Sequence, residues 1–348
     1  MIKALQNILL IGPKRNKQKK NIGGATLSFG YLINYFEDNR IPYNLISTQH
    51  FDNKLKGFIN PLYILLLFSI QIWKSKLVFV NVSQKGIKYL CPIIFIISKL
   101  LRKKVIIRPF GGAMKDYYLR YNTLQKFLFH KTILKSDIFY LQTEELVNYF
   151  LPIGRNVKQL KTSRQSPDRQ FIRGDRPYQK RFLFLGHIKE SKGIDIILDA
   201  IGQLDDSFTI DIFGSIVESK YQYLESEAYP FYKGLLKKKE ILSTMQAYDI
   251  LLLPTFYEGE GYPGVLIEAY SIGLPVITTR WNSIPELVKQ NETGILIKPK
   301  STESLIKAIE SIGREGYKKM SKNAIDYFET NFESDNINSA LIKELMEL

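Results

Sequence analysis

Short runs of apolar, β-branched and aromatic residues alternate with helical patterns along the whole chain. Five such runs lie in each half of the sequence. Each run is continuously apolar, as expected for strands that are buried on both faces of a parallel sheet. The predicted strands are residues 8–11, 43–46, 77–81, 105–108, 137–141, 182–185, 208–213, 249–253, 275–278 and 295–297. This β–α order, repeated in both halves, predicts two doubly wound α/β domains.

The length of 348 residues supports the same division, because domains commonly hold about 100–200 residues. We predict a first domain at residues 1–165, a second at 166–330 and a C-terminal helix at 331–348 that packs back on the first domain. The polar segment 165–178 is the predicted linker. Doubly wound sheets bind ligands outside the carboxyl ends of their strands, so we expect the site in the cleft between the domains.

The two halves of the chain differ in charge. Residues 1–173 hold 29 Lys and Arg against 8 Asp and Glu, whereas residues 174–348 hold 20 against 26. A basic half suits a nucleic acid, an anionic membrane or a phosphorylated ligand. Because the basic residues are scattered and no nucleic-acid-binding motif accompanies them, we expect no nucleic-acid partner.

Two apolar segments of the basic half, residues 58–73 and 89–101, bear on membrane contact. Both are shorter than the ~20 residues that span a bilayer, and both suit either core helices or docking on an anionic membrane surface. We expect no signal peptide, because the basic run 14–20 follows the first apolar stretch instead of preceding it. The single cysteine, Cys91, fits a reducing compartment. The expected location is the cytoplasm, with peripheral attachment to the inner face of the cell membrane.

The loop after the predicted strand 249–253 carries the strongest chemical signal. It reads PTFYEGEGYPGVLIEAYSIGLP over residues 254–275, and a helix is predicted from Val265. Its glycines allow the backbone to approach a ligand closely, and N–H groups at a helix start bind anions. The carboxylates of Glu260 and Glu268 can accept hydrogen bonds from the vicinal hydroxyls of a sugar or a ribose. Amides and carboxylates in one loop therefore indicate a nucleotide-sugar site.

The spacing from Glu260 to Glu268 resembles the E-x7-E signature of the family 4 retaining glycosyltransferases. The resemblance covers residues 181–330 closely and 1–165 loosely. It implies the GT-B fold, in which two Rossmann-like domains face a central cleft, and a role in bacterial polysaccharide biosynthesis. Three further segments follow in the order of that family: GLPVITT at 273–279, IPELV at 284–288 and TGILI at 293–297.

The resemblance also implies roles for residues of the second domain. Glu260 would hold hydroxyls of the donor sugar, Glu268 the ribose and Lys192 the diphosphate. Glu260 and Lys192 are therefore the candidate catalytic residues, since leaving-group charge is what the site must stabilise. The other candidate donor-binding residues of this domain are Gly186, His187, Gly261, Tyr262, Pro263 and Gly264.

His187 marks a departure from the family, which has an arginine at this position. A neutral imidazole replaces a guanidinium poorly, and Lys189 is the residue that could supply the second positive charge. In the first half, Gly23 and Gly24 resemble the Gly-Gly loop that closes over the donor phosphates in the family.

Two other loops have simpler interpretations. The loop after strand 105–108 contains Arg108 and Phe110 but lacks the histidine that many relatives place there, so no role is transferred to it. The segment from Ser283 to Glu286 predicts a capping box, in which Ser283 caps a helix and Glu286 reaches back.

We therefore predict a retaining glycosyltransferase that moves a sugar from a nucleotide-sugar, with a UDP-sugar favoured, to a glycan or polyprenyl-linked acceptor. No cofactor besides this co-substrate is expected, and no metal, since the sequence has no Asp-x-Asp triplet. Two alternatives stay open: another GT-B enzyme, either a sugar-nucleotide epimerase or a glycogen-type synthase, and a basic nucleic-acid-binding protein. The second alternative leaves the loop from Glu260 to Glu268 unexplained.

Overall fold

The structure is a computed structural model that describes residues 7–14, 24–49, 56–171 and 177–348. The chain divides into two compact units. The first contains Met1–Gln165 together with Ser334–Leu348, and the second contains Ser166–Glu333. The chain therefore returns to the first unit after completing the second.

The first unit is built on a six-stranded sheet with the order β2-β1-β3-β4-β5-β6, and all of its strand pairs are parallel. Most of its strand residues are buried, which explains why their sequences are continuously apolar. Its strands are β1 (Ile8–Gly12), β2 (Tyr43–Ser47), β3 (Leu77–Val82), β4 (Lys104–Pro109), β5 (Ile138–Leu141) and β6 (Val157–Gln159).

Helices cover both faces of this sheet. On one face, α1 packs into a cluster that includes Phe29 and Phe36. On the other face, α2 to α7 contribute to a larger cluster that includes Phe68, Ile94 and Phe150. The helices are α1 (Gly24–Asp38), α2 (Lys56–Gln71), α3 (Gln84–Tyr89), α4 (Cys91–Leu100), α5 (Met114–Leu119), α6 (Thr123–Lys131) and α7 (Glu144–Phe150).

The C-terminal helix α14 (Ser334–Met346) completes the first unit. Its buried residues Leu341, Ile342 and Leu345 belong to the same cluster as α1. Its Glu344 carboxylate accepts a hydrogen bond from the Tyr140 hydroxyl and forms an ion pair with Lys158. Apolar burial and a polar anchor thus hold the end of the chain on β5 and β6.

The second unit has a five-stranded parallel sheet with the order β11-β10-β9-β7-β8. A single large cluster of buried side chains fills the space between this sheet and its helices. The strands are β7 (Arg181–Leu185), β8 (Thr209–Phe213), β9 (Ile250–Leu253), β10 (Val276–Thr279) and β11 (Gly294–Ile297). The helices are α8 (Ile194–Ile201), α9 (Ile241–Met245), α10 (Gly264–Ser271), α11 (Ile284–Leu287), α12 (Thr302–Glu310) and α13 (Arg314–Asn331).

All ten strands predicted from the sequence are present, and each observed end lies within one residue of the predicted end. The strand that the sequence did not reveal is β6, whose three residues include a single apolar side chain, Val157. Both apolar segments of the first half form helices, α2 and α4. In the described part of the chain, no helix has both the length and the apolar character needed to cross a bilayer.

Candidate active site

The candidate site lies at the carboxyl ends of β7, β8 and β9. These strands are parallel neighbours, so their following loops emerge at one edge of the sheet. Backbone hydrogen bonds tie the loops together: Gly186 N donates to Phe213 O at 3.1 Å, and Phe256 N donates to Ser191 O at 2.8 Å. The topology therefore gathers three segments that are distant in sequence.

Close backbone contact at this edge depends on two glycines. Gly193 has φ +80° and caps α8, and a Cβ there would lie 2.3 Å from the Pro254 carbonyl oxygen. Gly214 has φ +151°, and a Cβ there would lie 1.6 Å from the Gly186 carbonyl oxygen. Only glycine fits these positions, because other residues are strained at such φ values and would collide with backbone atoms.

Lys192 and Glu260 form an ion pair across two of these loops. The Lys192 side chain is 16% exposed and that of Glu260 is 10% exposed, so the pair is mostly shielded from water. The same Glu260 oxygen accepts a hydrogen bond from Thr255 Oγ1 at 3.0 Å, and Thr255 itself is fully buried. These contacts fix the positions of the Lys192 ammonium and the Glu260 carboxylate at the carboxyl-terminal edge of the sheet.

A second lysine joins this pair around the ring of Tyr257. Lys189 Nζ lies 3.8 Å from the Tyr257 ring centroid, and Lys192 Nζ lies 5.4 Å from it. Burial, and then the neighbouring Lys192 charge, lower the pKa of Lys189. The two ammonium groups lie close together, with the carboxylates of Glu260 and Glu218 acting on Lys189. Two neighbouring positive charges favour an anionic ligand.

The helices α8 and α10 begin beside this cluster. Gly193 is the N-cap of α8 and Pro263 that of α10, and neither described residue has a side chain that caps its helix. First-turn N–H groups without a side-chain cap attract anions through hydrogen bonds and the helix dipole. The predicted start of α10 at Val265 lies one residue after the observed start at Gly264.

His187 is exposed, and its Nδ1 atom lies 2.9 Å from Ser215 Oγ, just beyond β8. Ser215 lines a cavity of about 660 Å³ within the second unit, which is in the size range of small-molecule sites. Lys233, Gly234 and Leu235 also line this cavity. The His187–Ser215 contact therefore connects the loop after β7 to this cavity.

Glu268 is half-buried on α10, one helical turn from its start. Tyr262, in the loop before α10, donates a hydrogen bond from its hydroxyl to Glu286 Oε2 at 2.7 Å. The capping box predicted for Ser283 and Glu286 is wrong. Ser283 has φ −85° and ψ 5°, outside the extended region of a capping residue, and its side chain makes no cap hydrogen bond. Glu286 instead anchors the tyrosine of the loop that carries the paired glutamates.

In the first unit, Gly24 is the first described residue of α1, whereas Gly23 lies outside the described residues. Arg108, at the end of β4, is buried and donates to Ser28 Oγ at 3.4 Å and to the Lys161 carbonyl at 3.3 Å. Burial lowers the pKa of this guanidinium to about 10. Its contacts hold together elements of the first unit.

Sequence reasoning missed three residues of the second unit: Thr255, Tyr257 and Ser215. Each follows closely on the end of a buried strand, which is the signal that could have identified them. Within the described ranges, no group of three or more His, Cys, Asp or Glu side chains is arranged to hold a metal ion.

Residues 167–327 match the family model of the glycosyl transferases group 1. This segment is similar to the group 1 glycosyltransferases. The match confirms the resemblance that the paired glutamates indicated. The matched segment includes Lys192, Glu260 and Glu268, and thus all of the second-unit site residues described above.

Curated relatives match part of the chain. An uncharacterized 41.2 kDa protein in the cps region of Klebsiella pneumoniae is 31% identical over 130 residues, which cover 37% of this chain and 36% of that protein. The putative colanic acid biosynthesis glycosyltransferase WcaL of Escherichia coli is 27% identical over 183 residues, which cover 47% of this chain and 44% of WcaL. The chain thus spans less than half the length of these relatives.

A solved structure extends the comparison to the whole chain. HepE from Anabaena, crystallised in complex with UDP, is 15% identical, and the alignment covers 99% of this chain and all of HepE with a TM-score of 0.72. This likeness confirms the predicted fold class, two Rossmann-like parallel-sheet domains of the GT-B type.

Proposed function

We propose that this chain is a retaining glycosyltransferase that transfers a sugar from a UDP-sugar to a glycan or polyprenyl-linked acceptor in cell-surface polysaccharide biosynthesis. The observation that carries the proposal is the contact between Lys192 and Glu260, because it joins the two motifs of the domain in one shielded site. The relatives named for polysaccharide biosynthesis and the UDP complex of HepE support the substrate classes.

The reaction requires stabilisation of the negative charge that grows on the diphosphate as its bond to the sugar breaks. Lys192 and Lys189 supply positive charge there, and the N–H groups at the starts of α8 and α10 supply hydrogen bonds. Removing one such donor typically costs about 3 kcal/mol of transition-state stabilisation. In this proposal these groups, without a bound metal, carry most of the catalysis.

The other residues position the donor. Glu260 binds hydroxyls of the transferred sugar while its contact with Thr255 holds the carboxylate in place. Glu268 binds the ribose, and the cavity beside Ser215 has room for the base. The resemblance assigns Gly23 and Gly24 to binding of the donor phosphates. Retention of configuration follows from the resemblance to the retaining family.

The proposal includes a cytoplasmic location and peripheral attachment to an anionic membrane surface. Its support is the charge of the first half, where 29 basic residues stand against 8 acidic ones. Such a surface would bring the enzyme to lipid-linked acceptors.

The test is hydrolysis and transfer by the full chain with UDP-, GDP- and ADP-sugars, followed by product analysis with a labelled donor. We expect UDP to be released from a UDP-sugar and the labelled sugar to appear in an α- or β-linkage that matches the donor. Activity should persist in excess EDTA. Release of an epimerised sugar without transfer, or rescue by Mg²⁺ of activity lost in EDTA, would refute the proposal.

Lys192→Ala provides a residue-level test of the same mechanism. We expect kcat to fall by about 100-fold while KM changes little, because the charge that Lys192 meets develops in the transition state. His187→Arg should retain activity, since arginine is the residue that the family has there. If Lys192→Ala raises KM and leaves kcat unchanged, the lysine contributes to substrate binding and not to stabilisation of the transition state.

A further inference from the structure

One face of the first unit carries most of the exposed apolar surface of the described chain. Nineteen large hydrophobic side chains are exposed in the described residues. Fourteen of them lie on α2 to α7 or on the turns that follow these helices, which pack on one core cluster. These fourteen are Leu62, Leu66, Ile70, Trp73, Tyr89, Ile93, Ile96, Leu100, Tyr117, Leu119, Leu124, Phe127, Leu151 and Ile153. Exposed apolar surface on this scale marks an interaction site.

The helix α2 is apolar on two opposite sides. Ile64 and Phe68 of α2, and Ile72 in the turn that follows it, are buried in the core at intervals of four residues. Leu66 and Ile70 lie two residues away from them, which is about 200° around a helix and therefore on the solvent side. Leu66 is 58% exposed and Ile70 is 60% exposed, so core packing does not explain their apolar character.

The next helices repeat this pattern. Ile94 of α4 is fully buried in the core, whereas Ile93 and Ile96 on the same helix are exposed. Tyr89 at the end of α3 and Leu100 at the end of α4 extend the exposed series at intervals of three and four residues. Two adjacent crossover connections of the sheet thus present apolar stripes to solvent.

Basic residues outnumber acidic ones along these helices. Residues 60–135 contain 14 Lys and Arg and a single acidic residue, Asp116. Of the basic residues, Arg108 is buried, and Lys99, Lys104 and Lys115 pair with Asp137 or Glu145. Two of the lysines lie on exposed aromatic rings: Lys88 Nζ is 5.0 Å from the Tyr89 ring centroid and Lys131 Nζ is 5.8 Å from that of Phe127. A partner that binds this surface must therefore present both apolar groups and negative charge.

We propose that the outward sides of α2 and the turn after it, α3, α4 and α6, here called the apolar–basic face, dock on an anionic lipid bilayer. This inference rests on the membrane attachment in the proposed function, and it identifies the surface that contacts the membrane. Interfacial helices bind membranes by burying an apolar side at the headgroup boundary while lysines contact anionic lipids. A second copy of the chain fits less well, since pairing two such faces would bring like charges together.

The test is co-sedimentation of the full chain with vesicles of phosphatidylcholine alone or enriched in phosphatidylglycerol, at low and high salt. We expect binding that increases with phosphatidylglycerol and decreases with salt. Ile70→Gln/Trp73→Gln should weaken vesicle binding about tenfold or more, because two apolar side chains no longer enter the boundary. Lys88→Gln/Lys131→Gln should also weaken it about tenfold at low salt and little at high salt.

Matched controls come from the second unit. Val217→Gln/Tyr223→Gln replaces two exposed apolar side chains, and Lys319→Gln/Lys322→Gln replaces two exposed lysines. Neither control should alter vesicle binding. Equal weakening by variant and control, or no binding of the natural chain to anionic vesicles at low salt, would overturn the proposal. So would a dimer in sedimentation velocity that Ile70→Gln/Trp73→Gln dissociates while vesicles stay unbound.

A separate readout distinguishes this inference from the proposed function. Hydrolysis of the UDP-sugar in solution uses the second unit, so the two double variants of the apolar–basic face should retain it. If the natural chain binds vesicles as described but neither binds UDP nor hydrolyses any sugar nucleotide, the proposed function fails and the docking surface stands.

Discussion

Lys192 and Glu260 form a shielded ion pair that joins the turn after β7 to the loop after β9. The two residues are 68 positions apart, and sequence reasoning assigned them to different parts of the donor, the diphosphate and the sugar hydroxyls. Because they contact each other, each one also orients the other. Substitutions at the two positions should therefore be coupled in both stability and activity.

A double-mutant cycle measures this coupling. Lys192→Met and Glu260→Gln should each lower the free energy of unfolding, because each leaves a partner charge unpaired in a largely shielded site. The double variant should lose less than the sum of the two, with a coupling of about 0.5–3 kcal/mol in urea unfolding. Glu258→Gln, at an exposed neighbouring position, is the control and should alter neither stability nor transfer. If the effects of the two single variants on the free energy of unfolding simply add in the double variant, the contact does not contribute to stability.

The glycines at the edge of the second sheet should resist substitution. Gly193→Ala and Gly214→Ala should each lower the free energy of unfolding by about 2–4 kcal/mol, since the added Cβ meets a backbone carbonyl oxygen at an unfavourable φ. Gly202→Ala is the matched control: Gly202 has φ −70°, and a Cβ there meets only ordinary contacts at 3.7 and 3.9 Å. Thermal or urea unfolding that ranks Gly202→Ala with the other two would contradict this account.

Lys189 should make stability depend on pH. Its pKa lies below the ordinary 10.5 because of burial and the nearby Lys192 charge, so the folded state disfavours the protonated lysine. Lys189→Gln should therefore raise the free energy of unfolding at pH 7, where the natural chain carries this charge. The advantage should decrease as the pH rises through the pKa of folded Lys189, and it should be gone above the pKa of the unfolded chain.

Urea unfolding at pH 7 and near pH 11 measures this difference, with exposed Lys319→Gln as the control. The same Lys189→Gln variant should bind UDP more weakly, because one of the two ammonium groups beside Tyr257 is lost. A variant that is less stable at pH 7 would show that the lysine stabilises the fold instead of serving the site.

The C-terminal helix should be essential to the first unit. Leu341 is almost fully buried against the cluster of α1, so Leu341→Ala should lower the free energy of unfolding by about 2–5 kcal/mol. Lys343→Ala, at an exposed position of the same helix, should have an effect within about 0.5 kcal/mol. If both variants unfold like the natural chain, α14 contributes little to the core.

Much of the fold could be predicted because its strands are buried on both faces. Burial of that kind demands continuous apolar runs, and these are visible without any knowledge of pairing. The strand β6 shows where this reasoning ends. Val157 is its single apolar residue, and what makes the segment a strand is its pairing with β5.

The candidate site was predictable in part for the same kind of reason. Glu260 and Glu268 are close in sequence on one loop and helix, so their spacing alone carries information. The contacts of Thr255 and Tyr257 with residues near Lys192 arise between separate loops. Likewise, the role of Glu286 as the partner of Tyr262 depends on a contact that no local capping pattern describes.

Local patterns of apolar residues, glycines and carboxylates by themselves determined the two α/β units, most strand positions and the paired-glutamate loop. Tertiary structure decided which loops meet and which side of each crossover helix faces solvent. The physical reason is that periodicity reports burial along one element, whereas contacts between elements depend on strand order. Leu66 and Phe68 show the difference: both are apolar residues of one helix, and only the packed sheet determines that one is exposed and the other buried.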